Sequence, residues 1–427
     1  MTKKMSAVIL SSLALALAGI GCAAPSPAPA PGAGGPWIGT ITTEADVTTV
    51  VNESGSVWGG AATLVEEASI GVDVGAPEYM LAGPASVTAD DERIYIAERR
   101  PAMVRVYDLD GNHIRDIGSE GQGPGEFAYP ASIVLTGEGN LLVRDDNNHR
   151  IVVYSPEGQL IESWMPWAGG FSTSDETVIG PDGAVYAPAP VARNPNPRGR
   201  RSIWGFIQRG PDGPIGDPLL PPTFDFEPLV VESGTAQAQV PFTPQVETSL
   251  TPFDAWLAGV SDAYRFEIRY FDGRLTVVER NASPVLVSNE ERDWNAKRLL
   301  ASFRQERPDF RWSGPPVPEH KPYYARLHAD LGHRIWVHLH AASSPVEGCN
   351  PDPQPGDPYT PCWQRQYGYD VFGQDGRYLG PLEMPPELRG APLHKAHIRD
   401  DVLITVVQDE AGTIMVKRYR LVLPGGE

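Results

Sequence analysis

The sequence predicts an all-β protein assembled from repeats of one four-stranded unit, and three observations carry that prediction. Short runs of valine, isoleucine and aromatic residues, alternating with polar ones, recur from Thr63 almost to the end of the chain. Five of these runs lead into an acidic residue followed by glycine: Asp110-Gly111, Glu157-Gly158, Asp212-Gly213, Asp272-Gly273 and Asp375-Gly376. Such pairs supply the positive φ that a tight hairpin needs. The composition agrees: 44 glycines and 43 prolines make the chain turn-rich, while a 41% hydrophobic share is enough to build a core and excludes a disordered chain.

Taken in order, residues 1–21 read as a signal peptide, with Lys3 and Lys4 ahead of an apolar core at Ala7–Leu17 that is too short to span a bilayer. Cys22 follows at once, as in bacterial lipoprotein signals, so the segment predicts lipidation of Cys22, although Gly19 stands where leucine is usual. The alternative is ordinary cleavage near Ala24. Residues 22–60 read as a Pro/Ala/Gly tether followed by an irregular flank over Ile38–Trp58. The folded body is then residues 61–427.

Second-strand runs of the repeat stand at Ile94–Ala97, Leu141–Arg144, Ala184–Ala187, Ala255–Ala258, Ile335–His338 and Leu403–Val406. Third strands follow at Val104–Tyr107, Ile151–Tyr154, Trp204–Gln208, Phe266–Tyr270, Tyr369–Phe372 and Met415–Tyr419. The last of these runs to the chain end without a fourth strand, whereas Thr63–Gly71 is an orphan strand ahead of the first unit. One vacancy and one orphan predict a ring completed by the N-terminal strand, which removes an exposed sheet edge. A longer interval before the fifth turn holds two insertions. The first is a helix over Ser288–Glu306, where Ser288 and Glu291 form a capping box. The second is the Pro-rich loop between Cys349 and Cys362, expected to form a disulfide in an oxidising compartment.

The stretch Ile117–Trp164 carries a resemblance to known repeats: the loop GQGPGEF, then a strand, then Asp145-x-x-Asn148-x-Arg150-Ile151 ahead of the third strand. It resembles a blade of the bacterial NHL-type and TolB-like six-bladed β-propellers, and the last two repeats resemble an uncharacterised six-bladed group. The resemblance implies a six-bladed β-propeller, here closed by an N-terminal strand and with a short helical insertion before blade five. It also implies that Asp145, Asn148 and Arg150 brace the blade.

In such a blade, the connections between strands one and two and between three and four emerge on one face, where they are short. The opposite face carries the long ones: Gly118–Tyr129, Pro188–Ser202, Leu220–Gln245, Asn281–Lys321 and Ala341–Gln366. Long connections in a compact fold are usually functional. The ligand-binding candidates are Arg99, Arg144, Asp146, His149, Tyr264, Arg265, His340 and His394, because arginine forks beside aromatics suit carboxylates, sugars and peptide termini. The cluster Arg193, Arg198, Arg200 and Arg201 reads as solvated.

No metal is expected, since the histidines between His320 and His397 lack ligand spacing. No cofactor is expected, and no catalytic residue can be named, because nucleophile-elbow, phosphate-loop and dinucleotide motifs are all absent. A formal net charge of −19 argues against nucleic acid, and the membrane is reached through the lipid anchor alone. Two functions remain. One is an extracytoplasmic binding or scaffold module of the bacterial cell envelope, an outer-membrane lipoprotein or a periplasmic or secreted protein, that takes a glycan, peptide or protein through its long-loop face. The other is a lactonase-like lyase or hydrolase at the channel mouth.

Overall fold

The computed structural model describes residues 34–164, 176–193, 202–233, 236–389, 393–409 and 411–425. Cys22, the leader and most of the tether lie outside them, as do Arg198, Arg200 and Arg201. Among the described residues no helix is long and apolar enough to cross a membrane.

Six blades follow one another along the chain. Blades one, two and three are the sheets over Pro84–Ile117, Pro130–Trp164 and Val178–Leu219. Blades four and five span Val246–Arg280 and Tyr324–Glu383, and blade six spans His397–Val422 together with Ala62–Ile70. Each blade packs on the next through its own apolar core, for example Tyr95, Val104, Ile133 and Val152 between blades one and two. Phe266, Tyr264, Phe372 and Tyr378 lie between four and five, and Ile70, Val87, Ile94 and Ile404 between six and one. Second and third strands are therefore buried on both faces, as at Arg93–Arg99, while an outer strand such as Leu160–Trp164 is mostly exposed. Burial of each large apolar side chain in these seams is worth roughly 1.5–3 kcal/mol.

The expected second and third strands and all five acidic-glycine turns form. At Gly376 (φ +83°) an added Cβ would also meet Val278 at 2.9 Å and Val50 at 3.1 Å, so the turn is wedged against two neighbours as well as twisted.

The N-terminal flank differs from expectation. Ile38–Glu44 and Val47–Ser54 form a hairpin, and Val47–Asn52 pairs in parallel with Leu275–Arg280, making blade four six-stranded. The hairpin is β-branched but largely exposed, so it lacks the apolar stripe that announces a strand. Buried Asn52 fixes it: its carbonyl accepts from Trp37 Nε1 (2.8 Å) and Tyr378 N (2.7 Å), and its amide donates to Glu279 O and Gly376 O. The chain then crosses blade five, where Val57 N and Trp58 N donate to Tyr378 O and Leu379 O. Beyond it, Ala62–Ile70 runs antiparallel to Ile414–Val422 as the fourth strand of blade six. Glu66 pairs with Lys417 and Glu67 with Arg418, both at 2.7 Å.

The long-loop face is also more ordered than expected. Blade three's second strand continues to Arg193, carrying Pro188 and Pro190 in its ladder, so the connection expected at Pro188–Ser202 is shorter. Leu220–Gln245 contains a small hairpin, Val230–Ser233 with Ala236–Gln239. In the helix Asn289–Glu306, Ser288 Oγ accepts from Glu291 N (3.1 Å), but the Glu291 carboxylate turns away from the cap toward Ser343 (2.6 Å) and Lys321 (3.6 Å). Cys349 and Cys362 are joined, and Trp294 Nε1 donates to Asn350 O within their loop.

Candidate functional site

The inner strands surround a channel whose residues can be placed on common levels by sheet register. The rung nearest the turn pairs Ala89 with Ile94, Leu135 with Leu141, Ile179 with Val185, Leu250 with Trp256 and Ala329 with Ile335; blade six has one further pair, Arg399 with Val402, and there Ile398, paired with Leu403, is the residue that packs toward the preceding blade. Three residues before those positions stand Ser86, Ser132, Glu176, Glu247, Arg326 and Lys395 in blades one to six. In blades one and two alternation turns this position toward the following blade, where Ser86 and Ser132 meet Ile133 N and Thr177 N, while the rung residue faces the preceding one. The ring at this level is thus hydroxyl and carboxylate on four blades and cationic on two.

A cavity of about 690 Å³ occupies the channel, lined by the inner strands of all six blades. Asp90, Asp91, Gly137, Pro252, Asp330 and Arg399, from the short turns, also line it, so it opens on the short-turn face.

On the first wall, neighbouring blades satisfy the polar groups. Ser86 Oγ accepts from Ile133 N (3.1 Å) and donates to Glu176 Oε2 (3.0 Å). Ser132 Oγ accepts from Thr177 N (2.9 Å), repeating the contact one seam on. Glu176 keeps some exposure, but toward the channel and not bulk water. Desolvation therefore pushes its carboxyl above the ordinary range, opposed by the Ser132 hydrogen bond and the charges of Arg144 and Lys395.

The second wall is built differently. Buried His328 and half-buried His394 line the cavity, and all four of their ring nitrogens lack a hydrogen-bond partner. Burial pushes His328 well below the usual histidine range and His394 down to about 3. Behind them, His338 lies parallel to Tyr369 at 4.7 Å, and burial lowers it to about 3. His397 has a partner: its Nδ1 accepts from Ala89 N (3.3 Å) and meets Thr88 Oγ1 (3.2 Å) across the seam between blades six and one. Burial holds it at about 4. Among the described residues no group of three or more metal-ligating side chains is placed to hold an ion.

The sequence candidates are dispersed. His394 alone of the eight lines the cavity. Arg144 is buried and paired with Asp146 (2.9 Å), close enough to act on Glu176. Arg99 lies over the Tyr129 ring at 4.4 Å, and exposed His149 is a turn residue with φ +53°. Tyr264 is no surface residue: it is buried between blades four and five, donating to Asp370 beside Arg280. Arg265 pairs with Glu267 (2.9 Å) and Glu279 (3.5 Å) on the outside. His340 and His338 share a side of their strand, both against Tyr367, and burial lowers His340 to about 4. Asp145 accepts from Ala128 N and Tyr129 N, Asn148 donates to Gly121 O, and Arg150 to Gly123 O and Glu126 O.

A family model, DUF5128, described as a 6-bladed beta-propeller, matches residues 77–167, which hold blades one and two. Among solved structures, a member of the duf4221 family from Bacteroides vulgatus is similar over 85% of this chain and 99% of its own, at 10% identity and a TM-score of 0.48. A protein from Bacteroides fragilis described as exported covers 84% of this chain and 94% of its own, at 9% identity and a TM-score of 0.42. Virginiamycin B lyase from Staphylococcus aureus covers 91% and 99%, at 11% identity and a TM-score of 0.35. At these identities no side chain of the channel is carried over.

Sequence reasoning missed Ser86, Ser132, Glu176, Arg326 and Lys395. The signal of the first four was positional, a fixed offset ahead of each first turn, and becomes visible only once the inner strands are aligned on those turns; Lys395 stands one residue further from its turn.

Proposed function

We propose that this protein is an extracytoplasmic binding module, tethered to the bacterial envelope through a lipid on Cys22, whose ligand is held in the channel. One observation carries the reading. A cavity of about 690 Å³ gathers polar groups from all six blades, including an acid and imidazoles shifted from their ordinary ranges. Pockets of this size with a few convergent polar groups are the usual small-ligand sites. A sugar or the end of a peptide fits the space, and the long-loop face is left for a protein partner. The Cys349–Cys362 bond supports an oxidising compartment.

The test is a thermal-shift screen of monosaccharides and short peptides against the wild type and Thr248→Trp, which fills the cavity. A channel ligand at a hundred times its Kd stabilises the wild type by about 2.7 kcal/mol and leaves the filled variant unmoved. Equal shifts in both would sink the channel site. Cys22→Ser should move the protein from the membrane fraction to the soluble one, and unchanged fractionation would refute the anchor. In the same reading Ala62–Ile70 shuts the ring. Truncation to residue 78 should then cause aggregation, where truncation to residue 36 does not. Equal stability of the two would refute closure.

A second reading, a lyase or hydrolase in the same cavity, rests on Glu176 being held toward its protonated form while His394 is held neutral. That arrangement offers an acid and a base in one chamber. Product release from lactone or ester substrates, abolished by Glu176→Gln, would favour it over simple binding.

A further inference from the structure

We infer that the seam between blades three and four is an apolar subsite of the channel, taking an aryl ring of the ligand. The inference rests on the channel being the ligand site and names the part of the ligand that this seam holds.

The first observation is where the cavity leaves the axis. Its described lining comes from the first strands, their leads and their turns, with four exceptions: Trp204, Gly205 and Phe206 of a third strand and Trp256 of a second. They mark one seam. Phe206 of blade three meets Trp256 of blade four edge to face at 5.8 Å, with Leu250 beside them. The cause lies in the strands. Blade three's first strand is only Val178–Ile179, against 6 residues in blades one, two and five, so it screens less of the blade behind it. Pro188 and Pro190, paired with Phe206 and Trp204, are compact and add room on the second strand.

The second observation is Trp204 itself. Its indole is half-buried, borders the cavity, and among the described residues packs in none of the blade cores. Alternation along Ser202–Gly210 turns it to the same side as Phe206. On the facing strand Thr248 stands two residues before Leu250 and so turns toward the same seam. A lobe walled by two indoles and a phenyl ring is completed by a further ring in offset or edge contact.

The third observation is that the charged groups around the channel are answered within the protein. Arg326 and Glu247, at one level on neighbouring blades, each already have a partner. Arg399 pairs with Asp91 (2.8 Å), and Asp330 is held by Arg334 (2.7 Å) and Trp336 Nε1 (2.8 Å). Asp90 accepts from Arg93 N (2.7 Å) and Tyr95 Oη (2.9 Å), and the charge of Lys395 acts on Glu176. The polar walls therefore select no particular charge, and the lobe supplies the preference. An aryl glycoside or an aromatic peptide side chain would bring the ring.

The experiment is calorimetric titration of the full chain with phenyl β-D-glucopyranoside, D-glucose, the dipeptide Ala-Phe and the dipeptide Ala-Ala. Wild type, Trp204→Ala and Thr248→Trp are compared, with near-UV circular dichroism as the folding check. The aryl member of one pair should bind about tenfold or more tighter than its parent, and Trp204→Ala should lose about tenfold of that preference. Which pair responds tells the glycoside source from the peptide source. In protein labelled with fluorotryptophan, the fluorine resonance that disappears in Trp204→Phe should shift with the aryl ligand and stay in place with its parent. That readout stands even where Trp204→Ala fails to fold. Equal binding of aryl and parent ligands, both blocked by Thr248→Trp, would overturn the subsite while leaving the channel as the ligand site. An aryl preference that persists in folded Trp204→Ala, or a Trp204 resonance unmoved at saturation, would also overturn it, as would no binding of either aryl ligand. Aryl binding that survives Thr248→Trp would remove both.

Discussion

Ser86 on one wall of the channel shares a cavity with His328 and His394 on the other, and Ser132 is buried one seam on from Ser86, yet their surroundings treat the serines and the imidazoles oppositely. The serines receive backbone N–H groups from the next blade, so their hydroxyls act as seam fasteners, and that of Ser86 does so at the edge of a void. The imidazoles receive nothing from the protein although one is almost wholly buried. A polar residue at a given level of a ring can thus belong either to the scaffold or to whatever the scaffold holds. Satisfaction of its hydrogen bonds, more than its identity, separates the two.

Acid should break the histidine wall first and with the largest effect. His338 and His394 are held at about 3 and His340 and His397 at about 4, against an ordinary 6.5. The unfolded chain takes up protons below 6.5 while the native state refuses them, so this contribution to stability is whole above 6.5 and lost as pH falls toward 4. Each fully buried imidazole accounts for on the order of 3 kcal/mol across that window. Chemical denaturation from pH 7.5 to 4 should show a steep loss that His397→Asn and His328→Leu each make shallower. A flat profile would remove the contrast.

Removing a fastener comes next. Ser132→Ala leaves Thr177 N without its acceptor and should destabilise by about 1–3 kcal/mol in denaturant titration. His328→Leu at neutral pH should do the opposite, leaving stability unchanged or raising it slightly, because it deletes unpaired donors and acceptors without orphaning a partner. If both substitutions destabilised equally, the division into scaffold and ligand groups would fail. The smallest effect concerns Glu176. Its raised pKa means that native stability falls as pH rises from the ordinary glutamate range through the folded value, and Glu176→Gln should erase that small slope. An unchanged slope would place the carboxyl in bulk water.

Much of this was legible in the sequence where a strand is buried on both sides. Ile94–Ala97 and Ile335–His338 read as strands because apolar runs ended in turn residues, and Gly376 read as a turn because only a hairpin explains Asp-Gly there. The hairpin Ile38–Ser54 was not legible, since an exposed rim strand needs no apolar face. Pro188 and Pro190 argued against the strand that contains them, although proline is tolerated in a ladder where no N–H is required. The site was the least legible part. Arg144 and Tyr264 looked like surface groups because nothing local says that a neighbouring blade covers them. Glu176 and Arg326 form no motif with one another, and only the ring brings the strands that bear them together.

The strand Ala62–Ile70 also sets an order in time. Its ion pairs reach far along the chain, Glu66 to Lys417 being 351 residues apart. During synthesis this strand emerges early and has no antiparallel partner until Ile414–Val422 follows. The edge it offers to Ile414–Val422 stays bare in the meantime, the condition under which β chains associate with each other. Pairing at such separation is slow, because the whole intervening loop must be drawn in before any contact forms. The last blade therefore assembles from two distant pieces of chain, and an export route that delivers this protein unfolded would postpone that step until the entire polypeptide has crossed.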